Sequence, residues 1–223
     1  MKTTKVPKLK FDNKNDVTIV IGGRETGVTT ENKNYINGYV KNKKSLKEDY
    51  RVLVIDFDNE YKGKRIDVEA IKMFKNKIAI IGSSEMTIKE RAELIKSVNY
   101  NYRDGLLVIE DMRKSFLKKS EMFDVMSSLY CGNHKKVKSV LCLGHTFCDL
   151  PSHHISNISN IRLHQTKSIE NDGTLKKVLG YGFVGYKLAM SIVNNKQFTN
   201  FVMIDRENNT ISGHSFVINM DFK

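Results

Sequence analysis

At 223 residues the chain is long enough for one sizeable hydrophobic core, and two separate domains would each be small. Its 37 Lys and Arg against 25 Asp and Glu leave a formal charge of +12, which favours an anionic partner such as nucleic acid or a phosphate-rich surface. Cys131, Cys142 and Cys148 are odd in number and lack a CxxC spacing, so no disulfide framework is implied and reduced intracellular thiols are expected; no apolar run approaches the ~20 residues that cross a bilayer.

Residues 1–15 carry Lys2, Lys5, Lys8, Lys10 and Lys14 against the one acid Asp12 and read as a basic arm, leaving 16–223 as a single domain. From Val17 the pattern turns apolar. Val-Thr-Ile-Val-Ile runs into Gly22-Gly23 and a polar loop, and a helix then places Tyr35, Ile36, Tyr39 and Val40 on one face. Further short β-branched runs follow at Arg51–Asp56, Lys77–Ile81, Gly105–Asp111 and Lys138–Gly144, the pattern of strands buried on both faces of a parallel sheet. Between them, Thr87 to Asn99 opens with a capping box, Thr-Ile-Lys-Glu, and sets Ile88, Ala92 and Ile95 on a stripe. Ser120 to Tyr130 does the same with Met122, Phe123, Met126 and Tyr130. Phe183 to Asn194 predicts one more helix, and Phe201–Asp205 with Thr210–Val217 across Arg206-Glu-Asn-Asn209 predicts a C-terminal β-hairpin. Strands alternating with helices make this an α/β chain with a mainly parallel, doubly wound sheet.

The loop between the first strand and its helix, Gly22-Gly23-Arg24-Glu25-Thr26-Gly27-Val28-Thr29-Thr30, follows the phosphate-loop template GxxxxGK[ST] at both glycines and at the hydroxyl of Thr29. Such a loop turns backbone N–H groups onto phosphates at a helix N-terminus and offers a hydroxyl to Mg2+. Val28 stands where the lysine belongs. Taken alone, the loop is equally a glycine-rich strand-to-helix turn, but its placement is the one a phosphate loop requires. A second half-site agrees with it: Leu106-Leu-Val-Ile ends in Glu110 and Asp111, where the first acid would serve a metal and the second would orient an attacking water. Paired acids at a strand end can also be caps or surface charges, and Asp56 can either edge the site or cap a turn. His153, His154 and Cys148 have no zinc spacing.

The stretches GGRETGVTT, VLVIDFDNEY, GLLVIEDM, Leu129-Tyr-Cys-Gly-Asn-His134 and SVLCLGHTFCDLPSHHISNISNIRLHQT, spanning about Val17 to Thr166, together resemble the FtsK/HerA superfamily of P-loop ATPases, in particular small viral genome-packaging ATPases. The resemblance implies a RecA-like P-loop core binding ATP and Mg2+, with Thr29 and Glu110 toward the metal, Asp111 in catalysis and His145 as the polar sensor at the end of a strand. It implies a homo-oligomeric ring that moves DNA without regard to sequence, docked on a viral capsid or portal vertex, in the host cytoplasm or on the virion. Two departures accompany it: Val28 replaces the loop lysine, and Asn133 stands where related enzymes tend to have an arginine. Both remove positive charge, and an arginine finger alone is worth roughly 10³ to 10⁵ in rate. The expectation is therefore an ATP-driven DNA translocase with hydrolysis in question, and the alternative is a degenerate nucleotide- or DNA-binding subunit.

Overall fold

The computed structural model describes residues 16–23, 25–130, 137–144, 158–166, 182–195, 201–213 and 216–220. In chain order they form β1 (Val17–Ile21), α1 (Val28–Ser45), β2 (Arg51–Ile55), β3 (Lys64–Arg65), β4 (Lys77–Ile81), α2 (Ile88–Asn101), β5 (Gly105–Ile109), α3 (Lys119–Tyr130), β6 (Val137–Gly144), β7 (Asn160–His164), α4 (Gly182–Asn194), β8 (Phe201–Asp205), β9 (Thr210–Ser212) and β10 (Val217–Asn219). The basic arm lies outside the described residues. The chain divides into two compact units, one drawn from Thr18–Val28 and Leu143–Lys223 and the other from Thr29–Cys142 with residues 16–17.

In the second unit the strands follow the order β6-β5-β2-β4-β3, every pairing parallel. Parallel neighbours need long crossovers, which α2 supplies between β4 and β5 and α3 between β5 and β6. Val52 to Ile55 and Leu106 to Ile109 are almost wholly out of water, as their unbroken apolar runs predict. Ile55 pairs with both Ile81 and Ile109, and the Glu110 N–H donates to the Ile55 carbonyl at 3.2 Å. The register therefore brings the chain out of β2 and β5 at one edge, where ligands of parallel sheets bind.

Helix α1 buries Tyr35, Ile36 and Tyr39 with Asn32, and Val40 is half-buried. Helix α2 begins where predicted, but its buried stripe is Ala92, Leu94, Ile95 and Val98, while Ile88 is exposed. As the first helical residue, Ile88 precedes the turn at which the helix meets the core. Strand β3, two exposed basic residues, has no apolar signal and was not anticipated.

In the first unit the order is β10-β9-β8-β7-β1. Strand β1 pairs with β7 in parallel from Thr18 opposite Asn160 to Ile21 opposite Leu163, and the remaining pairings are antiparallel. Helix α4 packs on β7 and β8, burying Tyr186, Ala189 and Val193. The hairpin from β8 to β9 is present, with Asp205 holding its turn by accepting from the Asn208 N–H at 3.0 Å and from its side-chain amide at 2.7 Å. The predicted second strand, Thr210–Val217, is not continuous: β9 ends at Ser212 and β10 begins at Val217, and the Gly213 N–H donates to the Phe216 carbonyl at 3.0 Å. The mainly parallel α/β sheet with antiparallel C-terminal strands is thus as the sequence reads, with a three-stranded meander in place of a simple hairpin.

Thr87 caps α2 reciprocally, accepting from the Glu90 N–H at 3.3 Å while the Glu90 carboxylate accepts from the Thr87 N–H at 2.7 Å. Removing one arm of such a box costs about 1 kcal/mol. Thr87→Ala should therefore lower the thermal midpoint followed by circular dichroism by roughly 2–4 °C, with Thr87→Ser close to the parent.

Candidate functional site

In the first unit, the chain leaves β1 into the glycine loop. The Gly22 N–H donates to the Gly144 carbonyl at 2.9 Å and the Gly23 N–H to the Gln165 carbonyl at 3.0 Å, strapping the loop's first half to the ends of β6 and β7. The Thr26 hydroxyl closes the turn by donating to the Gly23 carbonyl at 2.7 Å. Glu25 and Gly27 take left-handed backbone angles, φ 61° and 88°, which swing the chain round into α1. Arg24 lies outside the described residues.

Gly22 has no room for a side chain: a Cβ there would lie 2.6 Å from Val28 Cγ2 and 2.8 Å from His164 Cβ. Val28 therefore packs on the loop backbone, an apolar contact in the position where the template has a cation. His164, at the end of β7, fastens the loop from below through a 3.0 Å hydrogen bond between Nδ1 and the Thr26 carbonyl. A carbonyl only accepts, so Nδ1 carries the proton. The ring is fully buried and stacks on Phe201 at a centroid distance of 5.4 Å. Burial pulls its pKa down to about 4.

The second unit holds an array of acids where β2 and β5 end. Asp56 is 1% exposed; its carboxylate accepts from the N–H groups of Asp58 and Glu60, each at 3.2 Å, and of Tyr61 at 3.0 Å, with Arg65 at 3.7 Å. Of the two readings of Asp56, it caps the loop 57–61. That loop sends Tyr61 to Glu110, whose Oε1 accepts from the Tyr61 hydroxyl at 2.5 Å and from Asn32 Nδ2 at 2.8 Å. Asn32 also approaches Cys142 Sγ at 3.1 Å. Burial raises the Glu110 pKa against the lowering effect of these hydrogen bonds. Burial and then the Glu110 charge raise the Tyr61 pKa, so its hydroxyl keeps the proton it donates.

Asp111 adopts a left-handed conformation, φ 46° and ψ 41°, and pairs with Lys114 at 2.8 Å. The neighbouring Asp111 carboxyl, then partial burial, raises the Asp58 pKa. Thr29, on the first turn of α1, donates its hydroxyl to Glu60 Oε2, and Thr30 is exposed. Among the described residues no three His, Cys, Asp or Glu converge as a ready-made metal centre. The oxygen donors present are nonetheless of the kind Mg2+ takes when phosphates complete its shell.

The second unit thus brings together Thr29, Glu110 and Asp111 of the sequence candidates, and the first unit holds Gly22, Gly23, Glu25, Thr26, Gly27 and Val28. His145, Asn133, His153 and His154 lie outside the described residues. Asn32, Asp58, Glu60, Tyr61 and His164 were not anticipated. A sequence signal existed for the acids, Asp56, Asp58 and Glu60 alternating directly after a strand, and for Asn32, which falls on the buried stripe of α1.

No family model matches the sequence, and no curated protein is similar to it. Solved structures are similar. The genome-packaging NTPase B204 of Sulfolobus turreted icosahedral virus 2 in complex with AMP superposes with a TM-score of 0.64 over 92% of this chain and 99% of that one, at 18% identity. With ATPγS the values are 0.63, 91%, 97% and 17%. B204 of Sulfolobus turreted icosahedral virus, a DNA-packaging ATPase, gives 0.62, 90%, 97% and 16%. The chain shares the fold of these NTPases. In chain order the glycine loop follows β1, and the acids follow β2 and β5. No helix among the described residues is long and apolar enough to cross a membrane.

His164 titrates near 4 in the fold against about 6.5 in the unfolded chain. A depressed folded pKa means stability is fully present above pH 6.5 and drains away as pH falls toward 4, by about 3 kcal/mol at most. Urea unfolding of the parent should show this loss. His164→Asn, which keeps a donor for Thr26 without titrating, should flatten that part of the pH dependence relative to the parent.

Proposed function

We propose that this chain binds ATP with Mg2+ and acts as a DNA-translocating subunit of a genome-packaging machine. The observation that carries the reading is the packaging-NTPase fold with a glycine loop at the start of α1. The N–H groups of the loop beyond Gly23, at the helix N-terminus, are assigned to the phosphates. Thr29 and Glu110 would hold Mg2+ or its waters, and the ion would neutralise charge on the phosphates and orient them. Asp111, paired with Lys114, is assigned to the attacking water, with His145 as sensor. Residues 16–223 would act as one domain, with 1–15 as a basic arm on DNA. The remaining assignments, a homo-oligomeric ring on a capsid or portal vertex in the host cytoplasm or virion, rest on the sequence resemblance and on the fold.

A second reading, a nucleotide-binding subunit that does not hydrolyse, is favoured by the packing of Val28 on Gly22. Calorimetry with ATPγS and a phosphate-release assay separate the two. The parent should bind nucleotide weakly and turn it over slowly or not at all. Val28→Lys should tighten binding about tenfold, the worth of roughly 1.4 kcal/mol, and adding Asn133→Arg should raise turnover further. A folded Val28→Lys with no gain would show that the loop has lost its phosphate geometry.

Of the lysines that the sequence offers to DNA, Lys41, Lys43, Lys44, Lys118, Lys119, Lys135, Lys136 and Lys138, Lys43 and Lys138 are buried and ion-paired with Glu48 and Asp16; binding through the others and the arm should depend steeply on salt and little on sequence. Mobility shifts over a salt series test this, and affinity indifferent to salt would remove DNA from the proposal.

A further inference from the structure

A threonine hydroxyl that serves a cation does so through an oxygen lone pair and still has one proton to place. In the second unit the acceptor of the Thr29 proton is Glu60, through Oε2. Glu110, the acid that sequence assigns to the metal, has its Oε1 committed to Tyr61 at 2.5 Å and Asn32 at 2.8 Å. The two carboxylates thus do different work: Glu110 is half-buried with one oxygen taking two donors, and Glu60 reaches the hydroxyl from an exposed loop.

The placement of Glu60 is built. Its N–H and that of Tyr61 are tied to the buried Asp56 carboxylate at 3.2 and 3.0 Å. Asn59 turns the loop with a left-handed φ of 57°, and its side-chain carbonyl accepts from Arg65 at 2.5 Å. One short loop therefore directs two adjacent side chains to two partners, Glu60 to Thr29 and Tyr61 to Glu110, while Lys33 lies over the Tyr61 ring at 5.2 Å.

We infer that Glu60 is a positioning residue of the nucleotide site, accepting the Thr29 proton and so turning the hydroxyl lone pair toward the metal of a bound metal–nucleotide complex. This rests on the nucleotide-binding reading above. Losing such an outer partner of a metal ligand typically costs 10–100-fold in metal affinity.

The test is calorimetric binding of ATPγS in Mg2+ and in EDTA to the parent, Glu60→Ala and Glu60→Gln. Glu60→Ala should lose about tenfold of affinity in Mg2+ and leave the EDTA value unchanged. Glu60→Gln, whose amide oxygen still accepts the Thr29 proton, should recover most of that loss. The thermal midpoint of each variant without nucleotide should match the parent, since the hydrogen bond lies at the surface. An equal loss in Mg2+ and EDTA, or a Mg2+ increment in Glu60→Ala equal to the parent's, overturns the inference while leaving nucleotide binding intact. A parent that binds ATPγS in neither condition overturns the nucleotide reading itself, and this inference with it.

Discussion

A carboxylate almost wholly removed from water must find donors, and Asp56 finds them in the backbone of its own loop. Three N–H groups converge on it, from Asp58, Glu60 and Tyr61, and hydrogen bonds to a charged group contribute about 1.5–3 kcal/mol each. The consequence is directional. With Asp58, Glu60 and Tyr61 anchored at the backbone, their side chains are aimed: Asp58 at Asp111, Glu60 at Thr29 and Tyr61 at Glu110. Removing the Asp56 charge would release all three at once. For this reason the polar constellation at the end of β2 and β5 depends on a residue that makes no direct claim on a ligand.

The glycine loop of the first unit is held by a different device, since its glycines have no side chains with which to hold themselves. Backbone bonds to Gly144 and Gln165 fix its first half, and His164 fixes the turn at Thr26. A histidine suits this task because, buried, it stays neutral at physiological pH and offers a single donor to a carbonyl, without bringing a charge beneath the loop. The stack on Phe201 fixes the ring plane. Val28 completes the packing on Gly22.

How much of this was legible in the sequence follows from the range of the forces involved. Buried parallel strands announce themselves by unbroken apolar runs, because both faces are covered; β2, β4, β5 and β6 were placed to within a residue or two. The capping box at Thr87 is a local interaction with a local signature. Strand β3 has none, being two basic residues that pair at a sheet edge for want of another neighbour. The break between β9 and β10, where the Gly213 N–H donates to the Phe216 carbonyl, is one that an alternating pattern does not reveal. The candidate acids Glu110 and Asp111 could be read from a strand end. Their partners could not, since Asn32 and Glu110 are 78 residues apart and His164 and Thr26 are 138 apart.

The charge balance at the ends of β2 and β5 constrains the chemistry further. Five acids, Asp56, Asp58, Glu60, Glu110 and Asp111, lie there; Arg65 and Lys114 pair with Asp56 and Asp111, while the neighbouring Asp111 raises the Asp58 pKa and burial raises that of Glu110. A polyanion cannot approach such a surface unaided. In the usual template a loop lysine supplies part of the compensating charge, and here position 28 supplies none. Under the proposed nucleotide-binding reading, compensation for a triphosphate would have to come from a divalent ion or from other cations rather than from position 28. On that reading, a chain that keeps its carboxylates while lacking the loop lysine would lean more on a metal than one that has both, because nothing else at position 28 offsets the carboxylate charge.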